Sequence, residues 1–286
     1  MKPFRFKKIA IIGVGLLGGS VALAAKKKGL AKEIWGFSKH SERTAKALKQ
    51  GLITQAGRDL TATVAGADLV VMASPFTQFE SLLKKIAKTA PADCLVTDLG
   101  SVKGAWVGRW EAAARPLRFV GCHPMAGSEK TGFEWASAKL FEGAPCILTP
   151  SARTDRGALK TVTAFWKALG GKVLFRDPTE HDRVIGVFSH LTHAASFALA
   201  ASAAGAMKKK DFALAGPSFR GAIRIAASDP GLWSDIFKYN RAQIEMGLNA
   251  YSRELKSLRV RLRPGKEKAL AAWLAKVSKL AQRELS

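Results

Sequence analysis

Lys8-Ile9-Ala10-Ile11-Ile12-Gly13-Val14-Gly15-Leu16-Leu17-Gly18 decides the fold of this 286-residue chain. The apolar, β-branched run Lys8–Ile12 reads as a buried strand, and the G-x-G-x-x-G pattern begins where it ends and opens a helix. That context turns a weak pattern into a dinucleotide-binding turn. Gly13 allows the tight turn, Gly15 lets a pyrophosphate approach the backbone, and Gly18 lets helix and strand pack closely, with Leu16 and Leu17 in the first helical turn facing the phosphates.

Working outward, strand-like runs at Glu33–Phe37, Leu69–Ala73, Leu95–Asp98, Arg118–Gly121, Cys146–Leu148 and Lys172–Phe175 alternate with helical patterns. This alternation predicts an α/β fold whose N-terminal part is a doubly wound, Rossmann-type parallel sheet. Ser74, just past the Leu69–Ala73 run, joins the expected cofactor contacts. After Asp177-Pro178 the pattern becomes Ala-rich and amphipathic, so residues 179–286 are expected to form an all-helical domain following a nucleotide-binding domain at 1–178. In a helix placed over Ser234–Leu258, Ile244, Leu248, Tyr251, Leu255 and Leu258 recur at steps of four and three. That stripe needs a partner helix, from the same chain or a second copy.

The second strand's end discriminates between nicotinamide cofactors. An acid there would accept hydrogen bonds from a ribose 2′-hydroxyl, but the chain reads Phe37-Ser38-Lys39-His40-Ser41-Glu42-Arg43. A hydroxyl at Ser38 with cations at Lys39 and Arg43 suits a 2′-phosphate, which favours NADP over NAD.

Composition narrows the class further. Lys and Arg number 46 against 22 Asp and Glu, a formal charge of +24, yet they are spread along the chain without a nucleic-acid module. Such a surface also concentrates small anions. No run of eighteen apolar residues and no signal-peptide core is present, which predicts a cytoplasmic protein without a membrane partner. Cys94, Cys122 and Cys146 are widely spaced in apolar runs and read as buried thiols, and no metal spacing is visible.

A second constellation carries chemistry. Gly121-Cys122-His123-Pro124-Met125-Ala126-Gly127-Ser128-Glu129-Lys130-Thr131-Gly132-Phe133 follows an apolar run, placing His123 where a strand ends and the ligand crevice begins. Asp98-Leu99-Gly100-Ser101-Val102-Lys103 brings Ser101 to the same edge. His190 and His193 share a helix face in Ser189-His190-Leu191-Thr192-His193, and Arg220 and Arg224 stand four apart.

Together these stretches, with Arg224-Ile225-Ala226-Ala227-Ser228-Asp229-Pro230-Gly231-Leu232-Trp233, resemble the prephenate dehydrogenase family of tyrosine biosynthesis, which includes arogenate and cyclohexadienyl dehydrogenases. The resemblance runs from Gly13 to about Arg241. It implies oxidative decarboxylation of a cyclohexadienyl ring to a phenol, with hydride passing to a nicotinamide. His123 would accept the ring hydroxyl's proton, and Ser101 would bind the same centre and orient His123. Arg224 and Arg220 would hold carboxylates, Ser128, Glu129 and His193 would lie beside the substrate, and His190 would be structural. The family implies a homodimer through the helical region, with Trp233 near the substrate across the interface. The chain departs from the family at Gly221, where an acid is common, and at Thr192, where Pro is usual. With no further domain recognised at either end, a monofunctional enzyme is expected.

Overall fold

The computed structural model describes residues 5–128 and 130–285. Nine strands form two sheets: β1 (Phe6–Ile12), β2 (Ala31–Phe37), β3 (Gln55–Ala56), β4 (Leu69–Met72), β5 (Leu95–Asp98), β6 (Arg118–Val120), β7 (Cys122–Pro124), β8 (Pro145–Leu148) and β9 (Lys172–Phe175). The first sheet runs β3-β2-β1-β4-β5-β6, every pairing parallel, and its order reverses between β1 and β4. Ligands bind at that reversal in open α/β sheets. Both faces are buried, as a parallel sheet requires: Ile9, Ile11, Leu69 and Val71 enter one core, while Ala10, Ile12, Val70 and Met72 enter the other.

The strands expected at Cys146–Leu148 and Lys172–Phe175 instead belong to a second sheet, β7-β8-β9, in which the unexpected β7 runs antiparallel to β8 and β8 parallel to β9. Gly121 causes the separation. Its carbonyl accepts the Thr149 N–H at 2.9 Å, and a Cβ there would lie 2.5 Å from Thr149 Oγ1. His123 therefore sits within a short strand, paired with Ile147, and not on a loop beyond a strand end. Alternation along β7 sends Cys122 into the core and leaves His123 on the opposite side.

The helices are α1 (Leu16–Lys27), α2 (Ser41–Lys49), α3 (Leu60–Val64), α4 (Phe79–Ile86), α5 (Trp106–Ala114), α6 (Arg156–Ala168), α7 (Pro178–Ile185), α8 (Thr192–Ala206), α9 (Pro217–Ile223), α10 (Pro230–Tyr239), α11 (Arg241–Arg261) and α12 (Glu267–Leu285). A π-helical turn, Gly186–Leu191, joins α7 to α8. The combined stretch Pro178–Ala206 is long and apolar enough to cross a membrane by length and composition alone, yet its His181, Asp182 and His190 are buried in hydrogen bonds. The single helix expected over Ser234–Leu258 is two helices, broken at Asn240, whose buried amide is committed elsewhere. Compactness divides the chain into Met1–Asn240 and Arg241–Ser286. The second unit comprises α11 and α12, with Leu248, Tyr251 and Leu255 exposed.

The carboxyl edge of the first sheet is fixed by an ion pair without solvent exposure. Lys103 Nζ lies 2.6 Å from Asp98 Oδ2 and 2.7 Å from the Gly100 carbonyl. Asp98 also accepts N–H bonds from Gly100 at 2.8 Å and Cys122 at 3.0 Å. Removing one partner strands a buried charge, so Lys103→Met is expected to cost about 3–5 kcal/mol of stability. Urea unfolding checks this; a loss below 1 kcal/mol, roughly that of an exposed pair, would contradict the structural role.

Candidate active site

A cavity of about 1000 Å³ opens at the carboxyl edge of the sheet. One wall is nucleotide-like: Gly15, Leu16 and Leu17 from the start of α1, and Ser74 after β4. Gly13 has φ +107°, and a Cβ there would lie 2.5 Å from Ala73 and Ser74 backbone atoms; one on Gly18 would lie 2.0 Å from the Gly13 carbonyl. Only glycine fits either place. At Gly15 a Cβ would meet no protein atom within 4 Å, and α1 has no side-chain cap, so its first N–H groups face this space. The buried Ser74 Oγ, without a hydrogen-bond partner among the described residues, adds a donor. These features fit a dinucleotide pyrophosphate. Ser38, half-buried after β2, and exposed Lys39 and Arg43 stand at the next strand end, where Phe37 O accepts the Gly13 N–H at 2.8 Å.

The other wall holds Ser101, His123, Ser128, His193, Arg224 and Trp233. His193 stacks on Trp233 with centroids 3.5 Å apart and donates from Nδ1 to the Ser189 carbonyl at 2.9 Å. Trp233 is thus buried in the wall of its own chain's cavity. Arg220 is corrected: its exposed guanidinium donates from Nε to the Ala215 carbonyl at 2.9 Å and lies outside the cavity lining, because α9 ends at Ile223 before Arg224. Glu129 lies outside the described residues.

His123 Nδ1 stands 2.9 Å from His181 Nε2, and His181 Nδ1 stands 2.8 Å from Asp182 Oδ1. His181 is therefore a direct partner of the His123 ring, beside the Ser101 contact that the sequence reading expected. His190, read as structural, has Nδ1 2.9 Å from the Asn240 amide, yet it also lines the cavity. Sequence reasoning missed His181, Asp182 and Asn240. A His-Asp pair one helical turn after a proline cap has no motif, and its partners lie 58 and 79 positions away.

Electrostatics keep this site neutral. Burial pushes His123 well below its ordinary value, helped by the positive fields of His181, Lys103 and His190. Burial lowers His181 against the opposing pull of Asp182, brings His190 down to about 3, and lowers His193, which also faces the Arg224 charge. All three cysteines are buried, with Cys94 and Cys146 pushed up to about 12 and Cys122 raised well above the usual thiol value, so Cys122 offers no thiolate beside His123.

The family model described as "Prephenate dehydrogenase, nucleotide-binding domain" matches residues 21–175, and that described as "Prephenate dehydrogenase, dimerization domain" matches 177–276. The chain belongs to the prephenate dehydrogenase family. It is 35% identical to a prephenate dehydrogenase of Bacillus subtilis, covering 88% of this chain and 69% of that one. A cyclohexadienyl dehydrogenase of Zymomonas mobilis is 32% identical, covering 89% of this chain and 88% of that one. Among solved structures, the Aquifex aeolicus prephenate dehydrogenase in complex with hydroxyphenyl propionate and NAD+ aligns with a TM-score of 0.92 at 34% identity over 100% of both chains. The Synechocystis arogenate dehydrogenase aligns at 0.81 and 27% identity, over 97% of this chain and 99% of that one. The protein is accordingly an oxidoreductase of this NAD-dependent family, with a Rossmann-type nucleotide-binding fold.

The buried histidines make this neutral site acid-sensitive. In the unfolded chain each titrates near 6.5, whereas in the folded prephenate dehydrogenase domain all four are lowered. Above that pH both states are neutral. Below it the unfolded chain takes up protons that the fold refuses, so stability falls by up to roughly 1.4 kcal/mol per pH unit for each histidine. The loss continues until the folded values are reached, near 3 for His190. Urea midpoints should drop steadily from pH 6.5 to 4.5; a flat profile would show that these histidines are charged in the fold.

Proposed function

We propose that the protein converts prephenate to 4-hydroxyphenylpyruvate, with His123 as the base. The supporting observation is a buried neutral imidazole on a large cavity whose opposite wall is the Gly15–Ser74 cradle. A nicotinamide cofactor held by the Gly15–Ser74 cradle would supply the hydride acceptor. His123 takes the proton of the ring hydroxyl as hydride leaves the same carbon, and loss of carbon dioxide then aromatises the ring. Ser101, on the same wall as His123, binds the hydroxyl-bearing centre and orients His123. Arg224 holds a substrate carboxylate through its planar guanidinium, with Ser128, Glu129, His193 and Trp233 beside the substrate. A second reading, arogenate dehydrogenation to tyrosine, is favoured by Ser38, Lys39 and Arg43, since arogenate enzymes often use NADP. His193 favours prephenate.

We further infer a homodimer built through the helical region, supported by the exposed Leu248, Tyr251 and Leu255 and by the description of the family's second domain. A domain boundary at 178 and a cytoplasmic location belong to the same reading.

Steady-state kinetics on both substrates with both cofactors tests the assignment. His123→Asn is expected to lower kcat by about 10²–10⁴-fold with little change in KM, since a base acting in the transition state is lost. Near-native kcat at neutral pH would remove His123 from the mechanism. Because His123 stays neutral far into acid, the acid limb of wild-type kcat/KM should lie below pH 6.5.

Cofactor choice has its own test. NADP is favoured because a carboxylate is absent at Ser38 while Lys39 and Arg43 stand nearby. Ser38→Asp should shift preference toward NAD by repelling the 2′-phosphate. A wild-type enzyme with higher kcat/KM for NAD would overturn this reading.

A further inference from the structure

We propose that His181 and Asp182 are positioning residues that fix the tautomer of His123, so that its Nε2 faces the cavity as a proton acceptor. The inference rests on the reading of His123 as the base. Asp182 Oδ1 lies 2.8 Å from the Lys103 backbone nitrogen and 2.8 Å from His181 Nδ1. A backbone N–H only donates and a carboxylate only accepts, so His181 carries its proton on Nδ1. Its Nε2 then presents a lone pair 2.9 Å from His123 Nδ1, and the hydrogen in that contact belongs to His123. Neutral imidazole has one N–H. His123 Nε2 is therefore unprotonated, and it is the ring nitrogen left for the cavity.

The surroundings hold this chain of bonds in one arrangement. His181 is fully buried and Asp182 nearly so. Gly104 lets the carboxylate close onto the backbone, because a Cβ there would lie 2.5 Å from Asp182 Oδ2. The Asn240 amide donates to the Asp182 carbonyl oxygen at 2.9 Å, fixing the helix behind it. The nearest other charge, Lys103 Nζ, is engaged by Asp98 and cannot compete for either imidazole. When substrate gives up its proton, the hydroxyl O–H bond breaks and His123 Nε2–H forms. The imidazolium keeps its Nδ1–H on His181, where the Asp182 charge opposes the cost of burying it.

Asp182→Leu tests the proposal. One oxygen, Oδ1, accepts from both the Lys103 N–H and His181 Nδ1; without it His181 is no longer held with its proton on Nδ1, the proton moves to Nε2, and the His123 proton is driven to its own Nε2, removing the acceptor. Expected are a kcat loss of about 10²–10⁴-fold, approaching that of His123→Asn, KM within about threefold of wild type, and no additional loss in the double variant. His181→Gln retains an oxygen acceptor for His123 Nδ1–H and should keep activity within about tenfold, whereas His181→Leu should fall with Asp182→Leu. Imidazole ¹⁵N NMR of the wild-type protein gives a readout independent of turnover and of variant folding: His123 should show Nδ1 protonated and Nε2 bare. The opposite tautomer overturns the proposal. So does near-native kcat in Asp182→Leu beside an inactive His123→Asn, an outcome that leaves the base itself standing. If His123→Asn stays active, the functional reading fails and the ¹⁵N assignment alone decides the tautomer.

Discussion

The buried pair Asp98–Lys103 is the constraint on which the site depends. Two charges without solvent exposure are costly to desolvate, and attraction offsets that cost only when the remaining donors and acceptors are satisfied. Here they are. Asp98 gathers the Gly100 and Cys122 N–H groups as well as Lys103 Nζ, so the end of β5, the loop that carries Ser101 and the start of β7 converge on one carboxylate. Lys103 then passes its backbone N–H to Asp182 on α7. His123 follows Cys122 directly, and its imidazole partner precedes Asp182 directly, so two carboxylates set the distance between the two rings.

Rigidity of this kind has an electrostatic consequence. Lys103 holds positive charge close to His123, which, with burial, keeps the imidazole unprotonated. With His123 as the proposed base, a ring neutral at working pH is ready to accept, but its low basicity weakens the proton transfer itself. On that reading Asp182 answers this through His181, since its charge acts most once the imidazolium forms. The arrangement would then stabilise the charged product of the proton transfer more than the resting state, which is the differential stabilisation that accelerates a step.

What the sequence disclosed and what it concealed divide by range. The Gly13–Gly18 turn, the parallel strands and the histidine at 123 were legible because each rests on neighbours in the chain: a glycine spacing, a β-branched run, a residue before proline. The short strand β7 was hidden because Gly121 separates only three residues on either side, below the length at which alternation can be read. The break between α10 and α11 was hidden for another reason. The helix expected over Ser234–Leu258 runs through Asn240, and only the tertiary fold shows that its side chain serves Asp182 and His190. His181 and Asp182 were invisible because their significance lies in partners far along the chain. Arg220, four residues from Arg224, looked like a second anion ligand only while both were placed on one helix.

The same contacts decide which cations can meet a dianionic substrate. Of the residues identified near the cavity, Lys103 has its charge engaged inward on Asp98, and Arg220 is turned to a carbonyl outside. Among the described lining residues, Arg224 and Lys130 carry permanent positive charge, and the Lys130 ammonium lies 3.5 Å from the Trp135 ring centroid. The histidines, kept neutral by burial, add hydrogen bonds but no charge. On the proposed reading the planar Arg224 guanidinium orients a substrate carboxylate, while the chain's formal +24 acts at longer range by raising the local concentration of anionic substrate and cofactor. Long-range attraction is screened by salt, whereas a guanidinium in a partly enclosed cavity is screened much less. Capture and orientation are thus carried by different charges.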